Sequence, residues 1–287
     1  MRHRYECPLR WADLDLLGHI NNVKYVDYLQ EARSALLQAC LTAAGVDRPA
    51  GDAYVVVRHE VTFVAPLLLR RDTVSVESWV GEIRAASFAL EHEIFDEDAD
   101  GTRTVYLRAR TVLAPFQLDV GRPRRMLPVE RDALAPFAET SERPRSEPVR
   151  VDVPRDRSAH YPVQVRFSDI DVYRHVNNVK YVEYFQESRI ALFRALKDAV
   201  SQFPRMGVVV AQTDLEYVVP MELHATPFDC WAVVSAFGTK SMTIESEITS
   251  GDTVHARSRV VLVFFDTTTQ RSVTPPEGYR EAVMAAL

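Results

Sequence analysis

Residues 10–33, RWADLDLLGHINNVKYVDYLQEAR, and residues 166–189, RFSDIDVYRHVNNVKYVEYFQESR, align without a gap at an offset of 156. Fourteen of the 24 paired positions are identical, and most of the others are conservative, such as Trp11/Phe167, Ile20/Val176 and Asp27/Glu183. A match of that length and density marks an internal duplication. Further along, VVVRHEVTFVAP ending at Pro66 resembles VVVAQTDLEYVVP ending at Pro220, now at an offset of 154. Between the copies, Pro128, Pro136, Pro144, Pro148 and Pro154 are interspersed with charged residues. That composition predicts extended chain rather than packed structure. The expected organisation is therefore a first domain over 1–127, a Pro-rich linker over 128–159 and a second domain over 160–287.

Within each copy the apolar period changes in the same order. Val23, Val26, Leu29, Leu36, Leu37, Cys40 and Leu41 recur at helical spacing, with Gly45 as a stop, and Val179, Val182, Phe185, Leu192 and Leu196 repeat the pattern. A strand precedes each helix, over 5–11 and 161–167. Strand-like runs follow over 54–64, 73–80, 87–95 and 104–115, and over 206–218, 228–236, 241–249 and 254–265. One long helix and about four long strands predict an α+β domain whose curved antiparallel sheet wraps a central helix. A lone curved sheet leaves an open edge, so the two halves are expected to pair within the chain, with further oligomerisation left open.

The formal net charge is -6 and the pI about 5.8, which leaves no basic excess to neutralise a phosphate backbone and argues against a nucleic-acid partner. No stretch approaches the roughly 20 apolar residues of a membrane span, and the N-terminus lacks a signal-type apolar run. A cytoplasmic protein with no membrane partner is expected. Cys7, Cys40 and Cys230 are scattered, without CxxC spacing, and are read as reduced thiols.

The chemistry-bearing segment is DxDxxxHxNN, set between a strand and the long helix in both copies. Asn21 and Asn22, and Asn177 and Asn178, stand where a helix begins, and its first backbone N–H groups have no intrahelical acceptor. Those donors and the positive end of the helix dipole suit the oxygen of a polarised carbonyl. A carboxylate just ahead of them, Asp15 or Asp171, can act as base or nucleophile. Blander readings compete. Asp13 and Asp169 fit ordinary turn acids, and Asp15 and Asp171 could be capping carboxylates. His19 and His175 could be hydrogen-bonded loop residues, and Tyr25, Tyr28, Tyr181 and Tyr184 could be packing and groove lining. Glu31 with Arg33, and Glu187 with Arg189, read as a solvated helix face or structural pairs. Metal binding is not expected: a calcium loop would need an oxygen ligand at Leu17 and an acid at Lys24, and a zinc site would need a second histidine or acid nearby. Neither GxSxG nor GxxxxGK[ST] occurs.

DLDLLGHINNVKY and DIDVYRHVNNVKY resemble the motif of hot-dog thioesterases, both the 4-hydroxybenzoyl-CoA thioesterase branch and the plant acyl-ACP thioesterases with their DLDxNxHVNNVKY signature. The resemblance implies two tandem hot-dog domains that hydrolyse acyl-CoA or acyl-ACP (acyl carrier protein) thioesters in fatty acid metabolism without a cofactor. It implies Asp15 and Asp171 as catalytic carboxylates with His19 and His175 beside them. It also implies substrate contacts at Asn21, Asn22, Asn177 and Asn178, with the amides of Asn22 and Asn178 polarising the carbonyl, and lining by Tyr25 and Tyr181. The substrate is expected across the seam between the halves. Two features of the plant pattern are missing: its asparagine is replaced by Leu17 and Tyr173, and its downstream glutamate falls at Pro66 and Pro220. Gly18, which matches the hydroxybenzoyl-CoA branch, is Arg174 in the second copy, and this tilts the expectation toward Asp15 as the better site. A hydratase or dehydratase of acyl thioesters and a non-catalytic acyl-CoA sensor are the competing functions.

Overall fold

The computed structural model describes residues 1–16, 18–46, 51–141, 143–144, 147–204, 206–266, 268–269 and 271–287. The chain divides into two compact units, Met1–Glu147 and Pro148–Leu287. In the first, β1 (His3–Pro8) leads to the long helix α1 (Asn22–Ala43). Strands β2 (Asp52–Phe63), β3 (Thr73–Ile83), β4 (Phe88–Glu97) and β5 (Arg103–Gln117) follow, then the short β6 (Arg122–Pro123) and helix α2 (Pro128–Leu134). In the second, β7 (Ala159–Val163), α3 (Asn178–Leu196), β8 (Gly207–Tyr217), β9 (Phe228–Phe237), β10 (Ser241–Ser250), β11 (Thr253–Asp266), β12 (Arg271–Ser272) and α4 (Tyr279–Ala285) repeat the order. All main pairings are antiparallel, with strand order β1-β3-β4-β5-β2 in the first unit and β7-β9-β10-β11-β8 in the second. Each unit is thus a hot-dog: one antiparallel sheet and one long helix.

Curvature is built in at matched places. Single extra residues interrupt the pairing at Val57, Gly81 and Tyr106 in the first unit, and at Ala211, Ser235 and His255 in the second. Such bulges bend a strand and increase its twist, which turns a flat sheet into a wrap for a helix. The helix then fills the concave side. Leu29 and Ala32 pack against Val61, Val76, Ile94 and Leu107, while Leu36 and Cys40 pack against Val80, Phe88, Leu90 and Leu113. In the second unit Leu192 and Leu196 meet Val234, Ile244, Val260, Leu262 and Phe264.

Three expectations need correction. The first strand of each copy ends early, at Pro8 and Val163, and Trp11–Asp13 and Phe167–Asp169 are single 3-10 turns instead. The turns form because the Asp13 and Asp169 carboxylates accept the amides of Arg10 and Arg166, three residues back. Next, the segment read as linker opens with helix α2. Pro128 sits at its first turn, where a missing N–H costs nothing, and Glu130 caps Leu127 while pairing with Arg124 at 2.7 Å. Leu134 reaches the core. Lastly, Arg33 and Arg189 are buried while Glu31 and Glu187 are exposed. Arg33 lies four residues after Leu29 and Arg189 four after Phe185, on the inward helix face. Burial alone lowers the Arg189 guanidinium to about 10.

Candidate active site

Over the described residues, the segment between strand and helix makes the same backbone hydrogen bonds in both copies. Asp15 and Asp171 donate their amides to the carbonyls of His19 and His175 at 2.8 and 2.9 Å, and Leu14 bridges Ile20 as Ile170 bridges Val176. The tight turn so formed is closed by Gly18 N–H to Asp15 O at 3.1 Å and by Arg174 N–H to Asp171 O at 3.0 Å. Gly18 and Arg174 both take left-handed backbone, with φ of 76° and 65°. Glycine does so freely, whereas an L side chain there costs roughly 1–2 kcal/mol. Leu17 lies outside the described residues.

The first aspartate of each pair is structural. Asp13 Oδ2 accepts the Tyr28 hydroxyl at 2.7 Å and Asp169 Oδ2 accepts that of Tyr184 at 2.8 Å, both buried. Burial, and then the bond to the aspartate, push these phenols well above their ordinary range. The backbone carbonyls of Asp13 and Asp169 accept the amides of Asn21 and Asn177 at 2.8 Å, which fixes where each helix starts. Asn21 and Asn177 are the N-caps, their side chains accepting from Val23 and Val179 at 3.1 and 3.2 Å. Asn22 and Asn178 are the first helical residues. Among the described residues, the Asn22 amide has no acceptor.

Asp15 and Asp171 are half-buried on this turn, seven residues ahead of Asn22 and Asn178 in sequence. Among the contacts of the described residues, Asp15 Oδ1 accepts the His19 amide at 3.2 Å, and Asp171 Oδ1 accepts the Tyr173 amide at 2.8 Å. His19 and His175 are also half-buried, and each bridges the segment following the second strand: His19 opposite Leu68, His175 opposite Glu222. Glu222 Oε1 lies 3.9 Å from His175 Nε2. An acidic neighbour for this histidine was missed in sequence because alignment places proline at the expected position; the structure supplies it two residues later.

Tyr25 and Tyr181, expected as substrate contacts, are each 3% exposed. Their hydroxyl oxygens accept the amides of Leu67 and Met221 at 3.0 and 2.9 Å, and their rings stand edge-on to Phe63 and Tyr217. The carbonyls of Leu67 and Met221 in turn receive the amides of Ile20 and Val176. So the tyrosines anchor the turn to the neighbouring segment, and this packing leaves them little surface for substrate. Burial raises Tyr25 to about 12, with the Asp15 charge adding to the shift, and raises Tyr181 beyond that with Asp171 acting the same way. The second carboxylate therefore lies within electrostatic reach of the tyrosine in both copies.

The three cysteines offer no nucleophile. All are free and buried, and burial raises Cys7 and Cys230 to about 12 and Cys40 to about 11, far from the thiolate. No described helix is long and apolar enough to cross a membrane.

Set against known proteins, the sequence matches the profile of the thioesterase-like superfamily over residues 9–137 and 165–287. A curated relative, the uncharacterized protein YsmA of Bacillus subtilis, is 35% identical over 85 residues; the match takes in 29% of this chain and 54% of that protein. The chain thus spans about half the length of that relative. Among solved structures, a protein from Lactobacillus plantarum provisionally assigned as an oleoyl thioesterase superposes with a TM-score of 0.74 at 17% identity, covering 93% of this chain and 97% of that one. A 12:0-ACP thioesterase from Umbellularia californica superposes with a TM-score of 0.70 at 16% identity, covering 92% and 94%. At these identities the likeness is one of fold.

Proposed function

Because the chain belongs to the thioesterase-like superfamily, which its two repeats match separately, we propose that it hydrolyses acyl thioesters at the turn preceding α1, α3 or both. The supporting observation is the duplicated placement of a half-exposed aspartate, Asp15 or Asp171, immediately ahead of a helix start. In this mechanism the thioester oxygen is held by the amide of Asn22 or Asn178, aided by the positive end of the helix. Asp15 or Asp171 takes a proton from water, the water oxygen bonds to the acyl carbon, the C–S bond breaks and the thiol leaves with a returned proton. Direct attack by the carboxylate, followed by hydrolysis of the anhydride, uses the same geometry. His19 and His175 serve as the second proton-transfer group on the turn. The thiol carrier is coenzyme A or an acyl carrier protein.

A thiol-release assay over acyl-CoAs of increasing chain length and an acylated carrier protein tests the assignment. Free thiol should accumulate with turnover. A change in enoyl absorbance without free thiol would point to hydration of the acyl chain. Saturable binding without either product would point to a sensor.

A further inference from the structure

The turn carrying the second aspartate is closed by matching hydrogen bonds in the two copies and has a different residue at its left-handed position, Gly18 in the first and Arg174 in the second. Arg174 is the one non-glycine residue with positive φ among the described residues. The first copy closes the same turn with glycine, so folding does not require an arginine there, and backbone strain retained at one position points to a role for its side chain. The guanidinium is exposed, and among the described residues no ion pair engages it. Asp171 stands three residues before it and His175 next to it in sequence, and Glu222, from the segment after β8, lies 3.9 Å from His175. In the first copy the matching positions are Gly18 and Leu68, which carry no charge.

This has a consequence for substrate capture that rests on the thioesterase assignment. Two carboxylates beside the turn repel a phosphorylated substrate, and an exposed guanidinium on the same turn as Asp171, next to the histidine that Glu222 approaches, offsets that repulsion. Coenzyme A and the phosphopantetheine arm of a carrier protein share one chemistry, a phosphate at the end of the arm away from the thioester. We propose that Arg174 is a substrate-binding residue that contacts this phosphate and gives the second copy a preference for phosphorylated thiol carriers.

The test isolates the second copy with Asp15→Asn and compares one acyl group on coenzyme A, on phosphopantetheinylated carrier protein and on N-acetylcysteamine, which bears no phosphate. On adding Arg174→Gly, kcat/KM for a phosphorylated carrier relative to the N-acetylcysteamine ester should fall about three- to tenfold, mainly through KM, and the fall should shrink at high salt. Arg174→Lys should keep most of the ratio. A fall on both phosphorylated esters supports the proposal; a fall confined to the coenzyme A ester places the contact on the nucleotide, one confined to the carrier-protein ester places it on the carrier's protein surface, and either overturns the proposal. Equal losses on all three esters, or an unchanged ratio, overturn it while leaving hydrolysis intact. Release of thiol from none of the three by wild-type protein overturns the parent assignment and this proposal together.

Discussion

Asn21 and Asn177 each satisfy a helix-start amide with a side-chain oxygen, and each donates its own amide to the aspartate carbonyl eight residues back. Alanine at either position keeps the second bond and loses the first, so each substitution should cost about 0.5–2 kcal/mol, read as a lower urea midpoint at unchanged m. Arg174→Gly should act in the opposite direction, raising unfolding free energy by roughly 1 kcal/mol through relief of the left-handed strain; an unchanged or lower value contradicts the strain. The roles of single residues were unevenly legible. The structural part of Asp13 and Asp169 followed from turn chemistry, and their bonds to Tyr28 and Tyr184 carry it. The anchoring by Tyr25 and Tyr181, and the approach of Glu222 to His175, depend on a strand-following segment about 40 residues away, and no local pattern reveals that distance.

On the inner face of the first sheet, β2 and β4 carry His59 and His92, each 1% exposed, bonded through Nδ1 to Thr111 and Ser78. Burial holds His59 well below its ordinary value and His92 at about 3, with the positive charge of Arg33 adding to both. Protons therefore bind the unfolded chain and not the folded one below about pH 6.5. Stability should be complete above that pH and fall as acidity increases, by up to about 1.4 kcal/mol per pH unit for each histidine. A urea midpoint that stays flat from about pH 7 to about pH 5 contradicts this. The corresponding positions of the second unit, Thr213 and Ser246, do not titrate there. The helix cores are more alike: Leu29 and Leu192 are both fully buried, and alanine at either should cost about 2–5 kcal/mol in denaturant unfolding. Long helices and strands were legible because their apolar periods persist over many residues. Their ends were not, since a side-chain bond such as Asp13 to Arg10 decides them. Helix α2 was hidden because its proline reads as a breaker until its place in the first turn is known.

The duplication was the most legible feature of the chain, and it extends beyond the motif. Strand order, the three sheet irregularities and the bonded turn ahead of each helix recur in both units, although sequence likeness beyond the motif is faint. A sheet must bend at the same places to enclose a helix of the same kind, so geometry persists where side chains drift. The drift itself is informative near the turn, where Gly18 and Leu68 of the first copy correspond to Arg174 and Glu222 of the second. Within the proposed mechanism, one device is present twice with different surroundings. Its most direct test is thiol release from an acyl-CoA by wild-type protein, Asp15→Asn, Asp171→Asn and the double variant. Asparagine keeps the oxygen that accepts the turn amide, so each variant should remain folded by circular dichroism. The double variant should lose about 10²–10⁴-fold in kcat, and each single variant should retain only what the other turn contributes. A folded double variant that hydrolyses the thioester at the wild-type rate would contradict the account.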